Sequence, residues 1–518
     1  MTHWTRRRIL QAALASAGGA LPWSGVFAQS ETRRLRAPKQ ALVIGNSRYK
    51  QSPLKNPVND ANGMAAALKS TGFDVTLGLE LSGRDMAEAM RAYAASLIKA
   101  RAVGLFYFAG HGVQLAWRNY LIPVDAEILD VAQLRERAID VNSLIEGIRK
   151  AGNPMNIIIL DACRDNPFGA DTRLEQRGLS QLDAPPGTLL AYATAPGNTA
   201  VDGEGENGLY TEHLLQEIRV PEAKVEDVFK RVRLGVRRRS KGQQIPWEST
   251  SLEEDFWFIP PKVLKKLAEE EAEREFKEEL ALWERIKAAT QPEPLEDYLR
   301  RYPSGRFSEL AQARLDHVLA KLGEKKVEVV SLPENPYSRG TARADTVYRI
   351  GDRYSYRRFD LLTRLEEPPL RYRVTDITEQ QVIYNKGGTV TDLIGNYQKW
   401  GPQTWTTNQT FPLEFAIGKR WQTRFTITDE QWGPTPISLD IRITAREQVV
   451  VPAGTFAAFR VDATGFRNHR DWTVQWNWTV WHAPDTVRRP IAWEFRNRNY
   501  YGRPVGTTRA ELVAYEQG

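Results

Sequence analysis

The chain has 518 residues, of which 42% are hydrophobic and 26% charged, and its formal net charge is +7. This length and composition allow roughly two to four domains with real cores and exclude a wholly disordered chain. The modest positive excess is typical of dispersed surface arginines and does not indicate nucleic-acid binding. The single cysteine excludes an internal disulfide framework and any metal site built from several thiolates.

The first residues have the pattern of an export signal. Arg6 and Arg7 precede an alanine-rich apolar stretch that leads to Val26-Phe27-Ala28. This pattern resembles a twin-arginine leader with a small-residue cleavage site, and the stretch is too short to span a bilayer. We expect residues 1–28 to be a signal peptide and the mature protein to reach the periplasm of a Gram-negative bacterium. An uncleaved amphipathic leader is the alternative.

Short apolar runs alternate with helical periodicity through residues 38–259, the first predicted domain. Strands are predicted at residues 40–45, 73–79, 104–109, 156–161 and 188–193. Helices are predicted at residues 60–71, with Asn59 as N-cap, and at 82–99, 141–150, 209–218 and 225–240. Strands alternating with helices of this length are typical of an α/β, doubly wound and mostly parallel sheet.

Two of the predicted strands lead to reactive side chains. The run at 104–109 is followed by Gly110-His111-Gly112, and the run that begins at Asn156 leads to Asp161 and Cys163. Ligands bind at the carboxyl ends of the strands in open α/β sheets, so we expect His111 and Cys163 in the loops just past the strand ends. The pair suggests a nucleophile and its base. The structural alternatives are a buried small cysteine and a turn histidine.

The segments F-Y-F-A-G-H-G, ending at Gly112, and D-A-C-R-D, beginning at Asp161, resemble the caspase-like cysteine peptidases, most closely their bacterial metacaspase-like branch. His111 precedes Cys163 by 52 residues, and the caspase signature places its histidine about fifty residues upstream. That signature has Gln and Gly where this chain has Asp161 and Asp165, so the match is to the dyad and its spacing. The resemblance covers roughly residues 39–258 and implies a caspase-like fold.

The resemblance implies an endopeptidase in which Cys163 attacks a peptide carbonyl as a thiolate. His111 would take the thiol proton and later give it to the leaving amine. The backbone N–H groups of Gly112 and Cys163 would stabilise the oxyanion. A catalytically silent caspase-fold scaffold that binds partners through its C-terminal domain is the rival interpretation.

The resemblance also implies an acidic pocket for the side chain before the scissile bond. The matching positions are Asp60, Asp161 and Asp202, and carboxylates select guanidinium or ammonium groups. We therefore expect protein or peptide substrates with Arg or Lys before the cleaved bond. Asp60 could instead serve a helix N-terminus and Asp202 an ordinary turn. Two basic residues of the segment after Cys163 are self-cleavage candidates: Arg173 and Arg177.

No cofactor or metal is expected, and a requirement for calcium stays open. His469 and His482 have no identifiable third metal-ligating partner. The expected partners are protein substrates, with no nucleic acid, no stable membrane insertion after removal of the signal peptide and an open oligomeric state. No segment after the leader is apolar for long enough to be transmembrane.

The amino-acid composition and hydrophobic pattern change twice in the second half of the chain. Residues 260–327 are rich in Lys, Glu and Ala and predict a charged helical linker with a helix–turn–helix pair. Residues 335–516 carry short alternating runs that predict an antiparallel β domain, a barrel or a sandwich, which resembles domains of periplasmic lipoprotein-like proteins. Trp472, Trp476 and Trp478 share one predicted strand face. That face is either core or an aromatic platform for glycan, peptide or lipid.

Overall fold

The computed structural model describes residues 37–163, 168, 178–198, 205–252, 254–261, 269–324 and 335–518. The expected signal peptide, residues 1–28, lies outside these ranges. Within them, an α/β unit is followed by a helical section and by a large β structure.

A mostly parallel sheet forms the α/β unit, with the strand order β2-β1-β3-β6-β7-β8. The strands are β1 (Lys39–Gly45), β2 (Asp74–Leu79), β3 (Val103–Leu115), β4 (Arg118–Leu121), β5 (Ile139–Asp140), β6 (Asn156–Cys163), β7 (Thr188–Tyr192) and β8 (Trp247–Thr250). The helices are α1 (Pro57–Ser70), α2 (Gly83–Ala100), α3 (Val131–Arg137), α4 (Val141–Ala151), α5 (Leu209–Glu217) and α6 (Val225–Arg239). Neighbours from β2 to β7 run parallel, whereas β8 is antiparallel to β7. The predicted doubly wound sheet is confirmed.

Both faces of this sheet are covered, which explains why its central strands β1, β3, β6 and β7 are continuous apolar runs rather than alternating ones. On one face, Tyr107 and Ile159 belong to a core that includes residues of α1, α5 and α6. On the other face, Phe106 and Ile158 pack with residues of α2 and α4. Because β3 and β6 are adjacent in the middle of the sheet, their carboxyl ends meet at its centre.

Two boundaries differ by three residues or more from the sequence-based predictions, and several others differ by one or two. The first helix begins at Pro57 rather than at Asp60, and its N-cap is Asn56. Asn59 is therefore an internal residue of that helix. The helix can begin at Pro57 because proline has its φ already fixed in the helical range and because the first helical position needs no backbone N–H donor. Strand β3 continues to Leu115 instead of ending at Ala109, since its second part pairs antiparallel with β4.

The helical section joins the α/β unit to the β structure. It comprises α7 (Glu269–Ile286), α8 (Glu293–Arg301) and α9 (Ser308–Lys321). Trp283 stacks on Phe307 with ring centroids 6.1 Å apart, and both belong to a core that is continuous with the core of the β structure. Arg233 of α6 contacts Glu414 at 3.1 Å, an ion pair that reaches directly from the α/β unit to the β structure. No helix in the described ranges is long and apolar enough to cross a membrane.

Twelve of the described strands close into an antiparallel barrel. They are β10 (Arg353–Asp360), β11 (Glu366–Ile377), β12 (Val382–Tyr384), β13 (Thr389–Thr391), β14 (Tyr397–Trp400), β15 (Gln403–Trp405), β17 (Arg420–Asp429), β18 (Gly433–Val451), β19 (Gly454–Asn468), β20 (Thr473–His482), β21 (Ala492–Asn499) and β22 (Pro504–Glu516). The two short strands β9 (Thr341–Arg343) and β16 (Glu414–Ala416) pair with each other beside it. The last barrel strand, β22, pairs with the first, β10. Of the two predicted β architectures, the structure is the barrel.

The barrel interior is apolar because alternate residues of each strand point inward. Along β18 the buried positions include Ile437, Leu439 and Ile441. Trp476 and Trp478 pack with this core, whereas Trp472 lies in the turn before β20 and stacks on His469. The predicted shared face therefore holds for two of the three tryptophans.

Candidate active site

The two proposed catalytic residues lie on adjacent central strands. Gly112 of β3 is the register partner of Cys163, the last residue of β6, and neighbouring strands are about 4.8 Å apart. His111 is therefore one residue from the position directly beside Cys163. The expected loop placement is wrong for both residues, because His111 lies inside the continued strand β3 and Cys163 is still part of β6, which runs two residues past Asp161.

The loop after β1 fixes the imidazole of His111, which is only 3% exposed. Nε2 of His111 lies 2.7 Å from the carbonyl oxygen of Ser52. A carbonyl oxygen only accepts hydrogen bonds, so Nε2 carries the proton and Nδ1 is the basic nitrogen of the neutral ring. Ser52 itself has a φ of 55°, a strained value for a non-glycine residue.

Tyr49 holds both the backbone and the ring of the histidine. Its hydroxyl accepts a hydrogen bond from the His111 N–H at 2.9 Å and donates one to the Ile122 carbonyl at 3.1 Å. The two ring centroids are 4.4 Å apart. This arrangement requires a glycine at position 110, where an added Cβ would lie 2.5 Å from the Tyr49 hydroxyl.

Asp161 ends the buried part of β6 and is 7% exposed. Its Oδ2 accepts a hydrogen bond from the Thr211 hydroxyl at 2.8 Å, and that hydroxyl lies 2.6 Å from the Tyr107 hydroxyl. Because the one proton of Thr211 goes to the carboxylate, Tyr107 is the donor in the second bond. Burial, followed by the charges of Asp161 and Asp60, raises the pKa of Tyr107 well above its ordinary value.

Asp60 approaches the same region from helix α1 and is 2% exposed. Its Oδ1 accepts hydrogen bonds from the Gly208 N–H and the Asn207 side chain, both at 2.9 Å. Gly208 is the N-cap residue of α5, so Asp60 stabilises the start of that helix as well as lying in the first turn of its own.

The carboxylates of Asp60 and Asp161 flank one glycine. A Cβ built on Gly208 would lie 3.2 Å from Oδ2 of Asp60 and 3.8 Å from Oδ2 of Asp161. The structure thus brings two of the three predicted pocket carboxylates together at the N-terminus of α5. The third, Asp202, lies outside the described residues, as do Arg173 and Arg177.

The chain returns beside the site at Gly178. Leu179 packs close to Gly112, since a Cβ on Gly112 would lie 3.2 Å from a Leu179 methyl group. Asn119 accepts a hydrogen bond from the Ser180 N–H at 2.7 Å and donates one to the Ser180 carbonyl at 2.8 Å. From the segment that precedes the barrel, Asn335 donates to the Ser180 hydroxyl at 3.0 Å. Both halves of the chain therefore hold this segment.

Several residues of the site carry no sequence signal of their own. Tyr49 and Ser52 lie in an irregular loop without periodicity, and their role depends on the fold bringing that loop to β3. Tyr107 is the exception, because a tyrosine in a fully buried strand usually needs a hydrogen-bond partner for its hydroxyl. Among the described residues, no group of three or more His, Cys, Asp or Glu side chains is arranged to hold a metal ion.

Comparison with known proteins agrees with this architecture. Residues 38–257 match the family model described as the caspase domain. The chain is 27% identical over 194 residues to mucosa-associated lymphoid tissue lymphoma translocation protein 1 of Homo sapiens, which is 37% of this chain and 23% of that protein. It is 28% identical over 188 residues to the Mus musculus homolog, 36% of this chain and 22% of that protein. The chain spans less than a quarter of either relative's length, and the resemblance to the caspase-like family over this segment is confirmed.

Proposed function

We propose that this chain, whose residues 38–257 form a caspase-family domain, is a cysteine endopeptidase that cleaves after Arg or Lys. The observation that carries the proposal is the register of the two central strands, which sets Gly112 beside Cys163 and so brings His111 next to the only cysteine of the chain. The family match supports a caspase-like peptidase, and the residue roles that follow are our own assignment.

Acylation begins with transfer of the Cys163 thiol proton to Nδ1 of His111. The thiolate then attacks the peptide carbonyl carbon, and the carbonyl π electrons move to its oxygen. The backbone N–H groups of Gly112 and Cys163 stabilise that oxyanion. When the intermediate collapses, the C–N bond breaks, the imidazolium gives its proton to the leaving amine, and a thioester remains on Cys163.

Deacylation uses the same two residues in the reverse roles. His111 removes a proton from a water molecule, whose oxygen attacks the thioester carbon. The C–S bond breaks, the product acid leaves, and the proton returns from His111 to the Cys163 sulfur. The Ser52 carbonyl keeps Nε2 protonated throughout, because it stabilises both the neutral ring and the imidazolium in one orientation.

Specificity for Arg or Lys is assigned to Asp60 and Asp161. Their carboxylates lie on either side of Gly208, so a substrate guanidinium or ammonium group that reaches this glycine meets both of them. Hydrogen bonds to a charged group contribute about 1.5–3 kcal/mol each, so two carboxylates select a guanidinium or ammonium group strongly. Asp202 is a third candidate for this pocket.

Two further assignments complete the proposal. Residues 1–28 direct export to the periplasm through the twin-arginine pattern at Arg6 and Arg7. The enzyme cuts itself after Arg173 or Arg177, since both are basic residues in the segment that directly follows the nucleophile.

One assay tests the proposal against a catalytically silent scaffold. Purified mature protein is incubated with paired fluorogenic peptides that end in Arg, Lys or Asp before the reporter group. We expect hydrolysis of the Arg and Lys peptides only, and complete loss in Cys163→Ala with an unchanged thermal unfolding curve. Full activity in Cys163→Ala, or no hydrolysis of any peptide by the wild type, would overturn the peptidase assignment. Mass spectrometry of new N-termini in wild type and Cys163→Ala tests the self-cleavage.

A further inference from the structure

The two ends of the β-barrel have different surroundings. Its strands alternate in direction, so every second connection lies at the same end. One end faces the rest of the chain: Glu379 in the connection after β11 pairs with Arg314 of α9 at 2.8 Å, and Glu414 after β15 pairs with Arg233 of α6. The connections of the opposite, distal end are residues 361–365, 385–388, 401–402, 430–432, 469–472 and 500–503.

Exposed apolar side chains gather at this distal end. Tyr500 is 85% exposed, Tyr501 81% and Leu365 69%. Eight large exposed hydrophobic residues lie in the distal connections or within three residues of them and are called the distal rim: Leu362, Leu365, Trp400, Trp432, Phe466, Tyr500, Tyr501 and Val505. Single exposed hydrophobic residues are normal on a protein surface, but a group at one end of a barrel marks an interaction site.

The barrel wall beside the rim is polar, and the other exposed hydrophobic residues of the β structure lie in or towards its opposite half: Val347, Ile350, Ile417, Val450 and Val513. Outward positions of the neighbouring strands β17 and β18 carry polar side chains such as Gln422, Ser438 and Arg442, which are exposed. Arg420 and Asp440 form an ion pair across this outer face at 2.6 Å. A partner of the rim therefore contacts the tips of the hairpins and not the wall.

The charges around the rim are mainly positive. Five basic residues of the distal connections and their flanks make no ion pair within the described part of the chain: Arg364, Lys386, Lys399, Arg498 and Arg503. The exposed acidic residues there without such a pair are Glu366 and Glu430. Basic side chains next to exposed Trp, Tyr and Leu are the combination that binds the headgroup region of an anionic bilayer.

We propose that the distal rim docks on a bilayer surface that contains anionic phospholipid. The aromatic and leucine tips enter the boundary between headgroups and acyl chains, while the unpaired arginines and lysines bind lipid phosphates. The hairpin tips of the barrel would then contact the membrane, and the caspase-family domain would lie on the side away from the lipid. This role is independent of the peptidase assignment.

Vesicle sedimentation tests the proposal with the full purified chain. The vesicles contain either phosphatidylglycerol and phosphatidylcholine in equal parts or phosphatidylcholine alone. We expect binding to the anionic vesicles to be at least about tenfold tighter and to weaken with added salt. The double change Tyr500→Ser with Tyr501→Ser should weaken binding about tenfold, and Arg498→Gln with Arg503→Gln should weaken it on anionic vesicles only.

The matched control changes two exposed hydrophobic residues of the caspase-family domain, Ile98→Ser with Leu129→Ser, and should bind as the wild type does. Thermal unfolding of every variant checks that the fold is kept. Wild-type protein that stays in the supernatant with anionic vesicles overturns the proposal. So does a rim variant that binds normally, or one that only converts a dimer into a monomer in sedimentation velocity, since the rim would then join two copies of the chain.

Discussion

Replacing Asp161 by asparagine removes the charge of the proposed pocket with little change in shape. The amide oxygen can still accept the hydrogen bond that Thr211 donates to Oδ2 at 2.8 Å, so the buried contact to Thr211 and Tyr107 is kept. What is lost is one charge-assisted contact to a substrate guanidinium, worth about 1.5–3 kcal/mol. We therefore expect kcat/KM for Arg peptides to fall roughly 10- to 150-fold.

The assay compares an Arg peptide with the same peptide carrying citrulline, which has the same shape and no charge. Wild type should prefer Arg, and Asp161→Asn should lose roughly 10- to 150-fold of that preference, with the rest kept by Asp60, while cleaving the citrulline peptide almost as well as the wild type does. The four measurements form a double-mutant cycle, which isolates the charge interaction from general damage. Equal losses on both peptides would refute the pocket assignment and make Asp161 a structural partner of Thr211.

Three further outcomes are expected. Tyr49→Phe leaves the buried N–H of His111 without its acceptor, so the unfolding free energy should fall by about 1–3 kcal/mol in chemical denaturation. Burial lowers the pKa of His482 to about 3, so the folded state resists protonation of this side chain. The free energy of unfolding should therefore decline as pH falls from about 6.5 towards 3. His482→Gln should flatten that decline when unfolding is measured as a function of pH. Changing Arg6 and Arg7 to Lys should leave precursor in the cytoplasm in cell fractionation.

A specific result would contradict each of these three predictions. Tyr93→Phe is the control for Tyr49→Phe, because the buried Tyr93 hydroxyl makes no hydrogen bond in the described ranges, so its loss should cost little; equal costs would remove the special role of Tyr49. An unchanged pH dependence in His482→Gln would assign the acid sensitivity to other groups. Mature periplasmic protein from the double lysine variant would exclude the twin-arginine route.

The strands of the central sheet could be predicted because each is determined by its own short run of apolar residues. Strand β6 is buried on both faces, and its run of three isoleucines and a leucine leaves few other places for it in a soluble domain. The start of α1 was wrong by three residues, since the pattern of apolar spacing does not show that Pro57 already begins the helix. Barrel closure was left open because the pairing of β10 with β22 depends on contacts far apart in sequence.

The candidate site was predictable only in part, because it also depends on contacts between residues far apart in sequence. The resemblance pointed to His111 and Cys163, but their neighbouring placement follows from the order of the strands, which local periodicity does not specify. The extension of β3 through His111 arises from its pairing with β4. Ser52 reaches the imidazole through an irregular loop, and no spacing rule connects that loop to a strand 59 residues later.

The pairing of the first and last barrel strands also determines when the barrel can fold during translation. Arg357 of β10 and Glu511 of β22 form an ion pair across the seam although 154 positions separate them in the chain. The barrel can close only after the ribosome has made its final strand, whereas the caspase-family domain is complete in sequence long before. During that interval β10 and β21 present open edges that invite pairing with other chains. Nascent chains should therefore depend on chaperones mainly through their second half, and stalled synthesis should yield aggregates nucleated by unfinished barrels.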